Sequence, residues 1–417
     1  MWKKARAAAL AALWAGVAGA SGEGPLAFRD GVAQALAHSP YLEAGGIEVS
    51  MRELDEADAR SEYVPRFSLR TRYYVDPPAG SDERLYLSFA VDPYNPVEAH
   101  LSLRAQKLLT RLAVLAHLQT IADGLRRVGA GWLEVEALGR LEGLESELLS
   151  LAEAGVATAS NRVAAGTRPE PEWRAAEREV EIRRLQLDHT RRTRAEVLEG
   201  LAALIGWPED RAFSVEAASA AAQVLGDPPD PGAAWETVRD RSIESEARDL
   251  QRQLQELRIL AARAAYIPDL WLGVSTPDPL SGADDGDFYF SVGVDIPIWD
   301  GWKRAREIAR QKAALLQQDR SGRLEVLDLR ARWRAAESAC RATELDWLAA
   351  QAAAEKADQA ERQAAAGDAA RRARAEWLDA ERRALRAELI YHKACLERDA
   401  LSGALLDRLC QTETEQP

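Results

Sequence analysis

The sequence predicts a mainly α-helical protein with a small β part, written as two copies of one unit: a strand pair followed by a very long helical hairpin. Three observations predict it. The composition is that of long solvated helices: 29% of the 417 residues are charged, 6% are aromatic, and Ala, Glu, Arg and Leu dominate. Distinctive motifs recur at one constant offset. Short stretches of period-two alternation interrupt otherwise helical spacing.

The chain begins with Lys3, Lys4 and Arg6, then the apolar run "AAALAALWAGVAGA", closing on Ala18-Gly19-Ala20 before Ser21. That layout predicts a secretory signal peptide over residues 1–20. A membrane anchor is the competing reading, but about 14 apolar residues fall short of the roughly 20 that span a bilayer. With no Cys near the cleavage point, lipid attachment there is not expected. An exported chain of this kind is periplasmic, secreted, or inserted in an outer membrane as strands. The net charge of −13 argues against nucleic acid as a partner. Basic runs such as "RRARAEWLDAERRALR" alternate with acids and read as a solvated helix face.

"EYVPRFSLRTRYYVD" at Glu62–Asp76 parallels "AYIPDLWLGVSTPD" at Ala265–Asp278, and Tyr63 and Tyr266 are 266 − 63 = 203 residues apart. "LYLSFAVD" from Leu85 and "FYFSVGVD" from Phe288 repeat the offset, 288 − 85 = 203. The chain is therefore a duplication. After the signal, copy one comprises a helix within 24–62, strands within 63–96 and a helical hairpin over 97–205. A linker over 206–233 follows. Copy two has a helix within 234–265, strands within 266–299 and a hairpin over 300–409, with a tail at 410–417. The opening helices are read as single stretches, roughly Phe28–Ser61 and Ala234–Ala264. Each hairpin is broken once, at Gly166-Thr167 and at Gly367-Asp368, where glycine tolerates the left-handed backbone of a reversal.

The strands carry period two. Phe67, Leu69, Leu87, Phe89, Phe290, Val292 and Val294 fall on apolar faces; Arg70, Arg72, Tyr86, Ser88, Tyr289 and Ser291 fall on polar ones, with Arg66 just ahead. A soluble sheet packing its apolar face on a helix is one reading. The apolar-out, polar-in alternation of a membrane barrel is the other. A face with three arginines favours the second, because it cannot enter an ordinary core without partners but can line water. Four strands cannot close a barrel around a channel, and an open edge is not tolerated in lipid. Other copies of the chain would have to complete it.

"YIPDLWLGV" followed by "FYFSVGVDIPIWDGWKRAREIARQKA" resembles the outer-membrane efflux protein family, the TolC-like channels. So do "EWRAAEREVE" and "AEWLDAERRAL" after the helical breaks, and the helix ends "LAALIG" and "LSGALL". The resemblance covers essentially the whole mature chain. It departs from the family at Trp302, where a second glycine is frequent, and at "DPYNPVEAH", which replaces the Asp-Gly turn in copy one. It implies a homotrimer with a shared 12-stranded barrel in outer-membrane lipid. It also implies a periplasmic helical tunnel built from coiled-coil hairpins. Such a channel is a passive conduit of a tripartite efflux or type I secretion system, working with a periplasmic adaptor protein and an inner-membrane pump. Gly166, Thr167, Gly367 and Asp368 would form the periplasmic tips that meet the adaptor. Loops 76–84 and 277–287 would face outside. The arginine-bearing face would line the lumen and the apolar face would meet lipid.

No catalytic, cofactor or metal constellation appears, and no enzymatic activity is expected. His38, His100, His117, His189 and His392 lack ligand spacing. "ADDGD" in the second loop lacks the remainder of an EF-hand. A periplasmic adaptor or a structural coiled-coil protein of an envelope-spanning complex is the alternative function; the duplicated strand pairs argue against an adaptor, and a purely structural coiled coil would not need alternating strands with a lipid-ready face. If the second hairpin reverses at Gly367-Asp368, Cys340 and Cys395 stand equally far, 367 − 340 = 27 and 395 − 368 = 27 residues, from the turn. That makes them a candidate disulfide, with two buried free thiols the alternative and Cys410 left over. Cys340 also continues the apolar series Val326, Leu329, Trp333, Ala336.

Overall fold

The structure is a computed structural model, described for residues 26–64, 66–73, 85–165, 170–208, 211, 213–215, 235–276, 289–295, 299–365 and 367–405. The expected signal peptide, loops 76–84 and 277–287, Gly166, Thr167, Pro297, Cys410 and most of the 206–233 linker lie outside these residues. In order the chain forms α1 (Phe28–His38), α2 (Pro40–Ser61), β1 (Phe67–Tyr73), β2 (Leu85–Tyr94), α3 (Pro96–Ala164) and α4 (Glu170–Ile205). Copy two supplies α5 (Trp235–Arg241), α6 (Ile243–Ala264), β3 (Asp269–Thr276), β4 (Tyr289–Asp295), α7 (Lys303–Gln363) and α8 (Asp368–Ser402). The protein is mainly helical, with one small sheet.

Each opening helix, expected as one stretch, is two. The breaks fall at Ser39 and Ser242, again 242 − 39 = 203 residues apart. Ser39 is extended (φ −67°, ψ 119°), as the residue before Pro40 must be. Both serines are buried. The long helices start on caps. The Asn95 side-chain oxygen accepts from the backbone N–H of Val97 (3.1 Å) and Glu98 (3.2 Å), with Pro96 at the first helical position. Asp300 does the same for α7, accepting from the Arg304 N–H at 2.9 Å.

The chain divides into two compact units, and each draws on both repeats. One comprises residues up to 45, 118–243 and 327–417. Its main core joins Phe28, Val32 and Leu42 to Ile121, Val128 and Trp132 of α3, and to Leu201 and Ile205 of α4. The Phe28 and Trp132 rings meet edge-on at 5.5 Å. A Cβ on Gly31 would overlap the Trp132 indole, so this helix comes close only because position 31 lacks a side chain. Farther along, Cys340 and Cys395 are joined as a disulfide with Cα atoms 5.3 Å apart. Tyr391 stacks on Trp347 beside it (5.1 Å). In the Cys340 series, Leu329, Trp333 and Cys340 are buried.

The run "RRARAEWLDAERRALR" (371–386), expected to be a solvated face, is not one. Arg374 reaches Glu147 (2.6 Å) on α3 and Glu361 (3.1 Å) on α7. Asp379 holds Arg183 of α4 through two bonds of 3.1 Å. Arg382 and Arg386 lie 4.0 and 3.7 Å from Glu145, which is only 2% exposed. Arginine's long stem and planar fork let it cross between packed helices where a carboxylate waits.

The other unit comprises 46–117 and 244–326. Here α6 buries Leu250, Leu254 and Leu257, while Gln255 donates to the Gln311 carbonyl (3.0 Å) and side chain (2.7 Å) of α7. This unit also holds the sheet, an antiparallel meander in the order β1-β2-β3-β4.

Candidate functional site: the strand sheet and the hairpin tip

The register decides which residues share a face. Leu69 pairs with Phe89, Phe89 with Val274, and Val274 with Phe290. Phe67–Val91–Leu272–Val292 forms the next such row. Leu87 pairs with Thr71 and Thr276, and Val294 with Leu270. Residues whose sequence pattern is apolar thus lie on one face of all four strands. The intervening rows carry Arg70–Ser88–Ser275–Tyr289 and, beside them, Arg72–Tyr86 and Ala90–Gly273–Ser291. Arg66, just before β1, is exposed. The duplicated strand pairs adjoin through β2 and β3, so the two repeats build one surface rather than two.

Several described side chains of the apolar face are open to solvent. Phe290 is 77% exposed, Val292 73%, Leu69 56% and Val294 51%. Among the described residues β1 and β4 each pair on one side only, so both edges are open. An open-edged sheet with a bare apolar face is unstable in water and invites either lipid or further strands. On the opposite face the Trp271 indole lies over Gly293, its partner across β3–β4; a Cβ there would overlap the ring. The Ser291 hydroxyl donates to the Gly273 carbonyl at 3.2 Å.

In the other unit the second hairpin reverses where expected. Gly367 has φ 97°, a left-handed value that glycine adopts without strain, and Asp368 opens α8. Gly367→Ala is expected to destabilise the turn by about 1–2 kcal/mol through backbone strain alone, since nothing lies within 4 Å of the added Cβ. Hydrogen exchange at the turn should rise, and unchanged exchange would show that the turn has another conformation.

Asp368 bonds Arg162 of α3 and Arg371 of its own helix. Arg371 also donates to the Thr158 hydroxyl (2.7 Å) and the Ala154 carbonyl (3.1 Å). Thr158, Arg162, Asp368 and Arg371 edge a cleft of about 510 Å³ between α3, α4 and α8. Sequence reading named Asp368 but missed Arg162, Thr158 and Arg371, because their meeting depends on how three helices align. Hydrogen bonds from Arg162 and then Arg371 hold the Asp368 carboxyl below its ordinary 3.8. A depressed folded-state pKa stabilises above the unfolded value and is lost as pH falls through the folded one. Contacts of the first turn of α8 should therefore persist to pH 4 and weaken only below it. Asp368→Asn should already be loosened at pH 7, as read by intrinsic-rate-corrected hydrogen exchange.

No described helix is long and apolar enough to cross a membrane, and no described group of His, Cys, Asp and Glu could hold a metal. No family model and no curated protein matches the sequence. Solved structures do. A membrane protein from Pseudomonas aeruginosa superposes with TM-score 0.71 at 18% identity, covering 92% of each chain. The open-state MtrE outer-membrane channel of Neisseria gonorrhoeae gives 0.73 at 17%, over 91% of this chain and 89% of that one. The chain has the outer-membrane channel fold. The outer-membrane protein VceC from Vibrio cholerae extends the likeness, with TM-score 0.72 at 13% identity over 90% of this chain and 96% of that one. At such identities the likeness lies in the fold rather than in the side chains. That is why the TolC-like resemblance in the sequence rests on short motifs in the right order.

Proposed function

We propose that the protein is a homotrimeric outer-membrane channel, a passive conduit from periplasm to exterior in a tripartite efflux or type I secretion system. Each chain would give four strands to a 12-stranded barrel. The single observation that carries this is the bare apolar face of a four-stranded sheet whose two edges are both open. Three such sheets joined edge to edge satisfy every strand and place the apolar rows in lipid, as a bilayer requires. Arg66, Arg70, Arg72, Tyr86, Ser88, Tyr289 and Ser291 would then face the lumen. Phe67, Leu69, Leu87, Phe89, Phe290, Val292 and Val294 would face lipid.

The disulfide supports an oxidising compartment such as the periplasm, in keeping with export by a signal peptide over 1–20. Gly166, Thr167, Gly367 and Asp368 would form the periplasmic tips where an adaptor protein of an inner-membrane pump docks. A channel of this kind has no need of enzymatic chemistry. In intact cells, protease sites placed in loops 76–84 and 277–287 should be cut from outside, and the unheated protein should migrate as a trimer. Cleavage only after permeabilisation would overturn the topology.

A further inference from the structure

We propose that Cys340–Cys395 is a thiol–disulfide exchange site, acted on by a dithiol, that controls whether the distal arm of α7, residues 341–363, stays packed on α8. The exchange and the release of the arm do not depend on the channel reading above. Their consequence does rest on it: the arm leads to the Gly367-Asp368 turn, which that reading assigns to adaptor docking. The redox state of one bond would then set the shape of a docking surface.

The two sides of α8 are held unequally. Toward α3 it presents Leu385, packed among Ala137, Leu138 and Leu141. Lys393 reaches Glu134 on that side at 2.7 Å, and Arg374 and Asp379 make the ties to Glu147 and Arg183 described above. Toward α7, between the disulfide and the turn, the buried seam is Ala354, Ala380 and Ala384, flanked by Ala350 and Ala357. Each alanine offers one methyl where a leucine offers a branched chain, so this seam removes little apolar surface from water. Trp347 adds its stack on Tyr391, and Glu361 adds a part-exposed ion pair with Arg374, a kind of pair that contributes little.

Exposure along α7 identifies the loosely held partner. Among the described residues 341–363, Ala354 is the one that is buried, while Leu345 and Leu348 are 69% and 49% exposed. Helices in proteins owe most of their stability to a packed face, and this arm has almost none. The disulfide therefore pins one end of an arm whose other end is the Gly367 turn. Cys340 and Cys395 are themselves buried, so a reductant reaches the sulfurs when the arm opens locally. One thiolate of the dithiol attacks either sulfur, the S–S bond breaks, and the departing cysteine sulfur takes up a proton. The second thiol of the reagent resolves the mixed disulfide, frees the other cysteine and leaves as a disulfide itself. Two electrons pass from dithiol to protein, and an oxidised dithiol reverses the step.

The test uses full-length protein purified in detergent, with dithiothreitol as the dithiol and no denaturant. Thiol titration after an acid quench should rise from one cysteine to three, showing that the bond opens in the folded protein. With dithiothreitol kept present, hydrogen exchange over 344–363 should accelerate by about a hundredfold, while 378–390 of α8 and 134–150 of α3 stay at least about tenfold better protected than the arm. Removing the reductant and adding oxidised dithiothreitol should restore the arm. Cys340→Ser/Cys395→Ser should show the fast arm from the outset and no response to dithiothreitol, which separates the bond from any direct effect of the reagent. A bond that dithiothreitol leaves intact in the folded protein overturns the exchange site. After reduction, an arm still as protected as α8, or protection lost alike from the arm, α8 and α3, overturns the control of the arm. These readings are taken on the protein alone, so their failure leaves the channel reading standing, and a failure to conduct in bilayers leaves them standing.

Discussion

Val292→Arg is expected to prevent accumulation of folded trimer in the outer membrane, whereas Ser291→Arg, one residue earlier on β4, should leave assembly intact. The two positions differ by a single step of a period-two strand and so point to opposite faces. Val292 is 73% exposed in the isolated chain, in the row with Leu272 and Val91. An arginine on a lipid-facing strand near mid-membrane costs about 2–4 kcal/mol per copy. That corresponds to roughly 30- to 1,000-fold in the folding equilibrium of each chain, and a trimer bears it three times. Ser291 lies beside Gly273 and Gly293 on the other face, where an added guanidinium would meet water. Urea titration of protein refolded into vesicles reads the difference as a lowered midpoint for Val292→Arg alone. Equal behaviour of the two variants would mean that the sheet does not separate lipid from water.

Loss of the Cys340–Cys395 disulfide is the second large effect. The bond closes a segment with a sequence separation of 55 residues. Restricting such a segment in the unfolded chain stabilises the fold by about 4 kcal/mol on the chain-entropy account. The Cys340→Ala/Cys395→Ala protein should therefore unfold at markedly lower denaturant, and wild-type protein unfolded in reductant should match it. Packing does not substitute for the bond: Tyr391 and Trp347 stack against the site but do not link the two arms covalently. Under denaturing, non-reducing conditions one cysteine, Cys410, should react with a thiol reagent. Three reactive cysteines would contradict the bond.

The parts of this fold legible in the sequence are those written by period and repetition. The 203-residue offset points to both strand pairs, and period two places on one face Leu69 and Phe89, which the register pairs; the faces of β3 come from the register alone. Glycine chemistry located the turn at Gly367, and equal spacing from it matched Cys340 with Cys395. The breaks at Ser39 and Ser242 escaped notice because helical periodicity runs through them without a change of composition. The Arg–carboxylate ties of 371–386 escaped for a different reason. In Ala-rich helices studded with Arg and Glu, a solvated face and a face packed against two further helices have the same letters. Only the alignment of α3, α4 and α8 tells Arg382, beside Glu145, from a residue in water.

The central claim is that three copies of this sheet close into a conducting barrel, and planar-bilayer recording of protein purified from outer membranes tests it most directly. The account predicts discrete conductance steps that appear only with the trimer. It also predicts that Ser291→Glu shifts the reversal potential in a salt gradient toward cation preference, because residue 291 would line the lumen. A chain that stays monomeric, enters no bilayer and carries no current would contradict it.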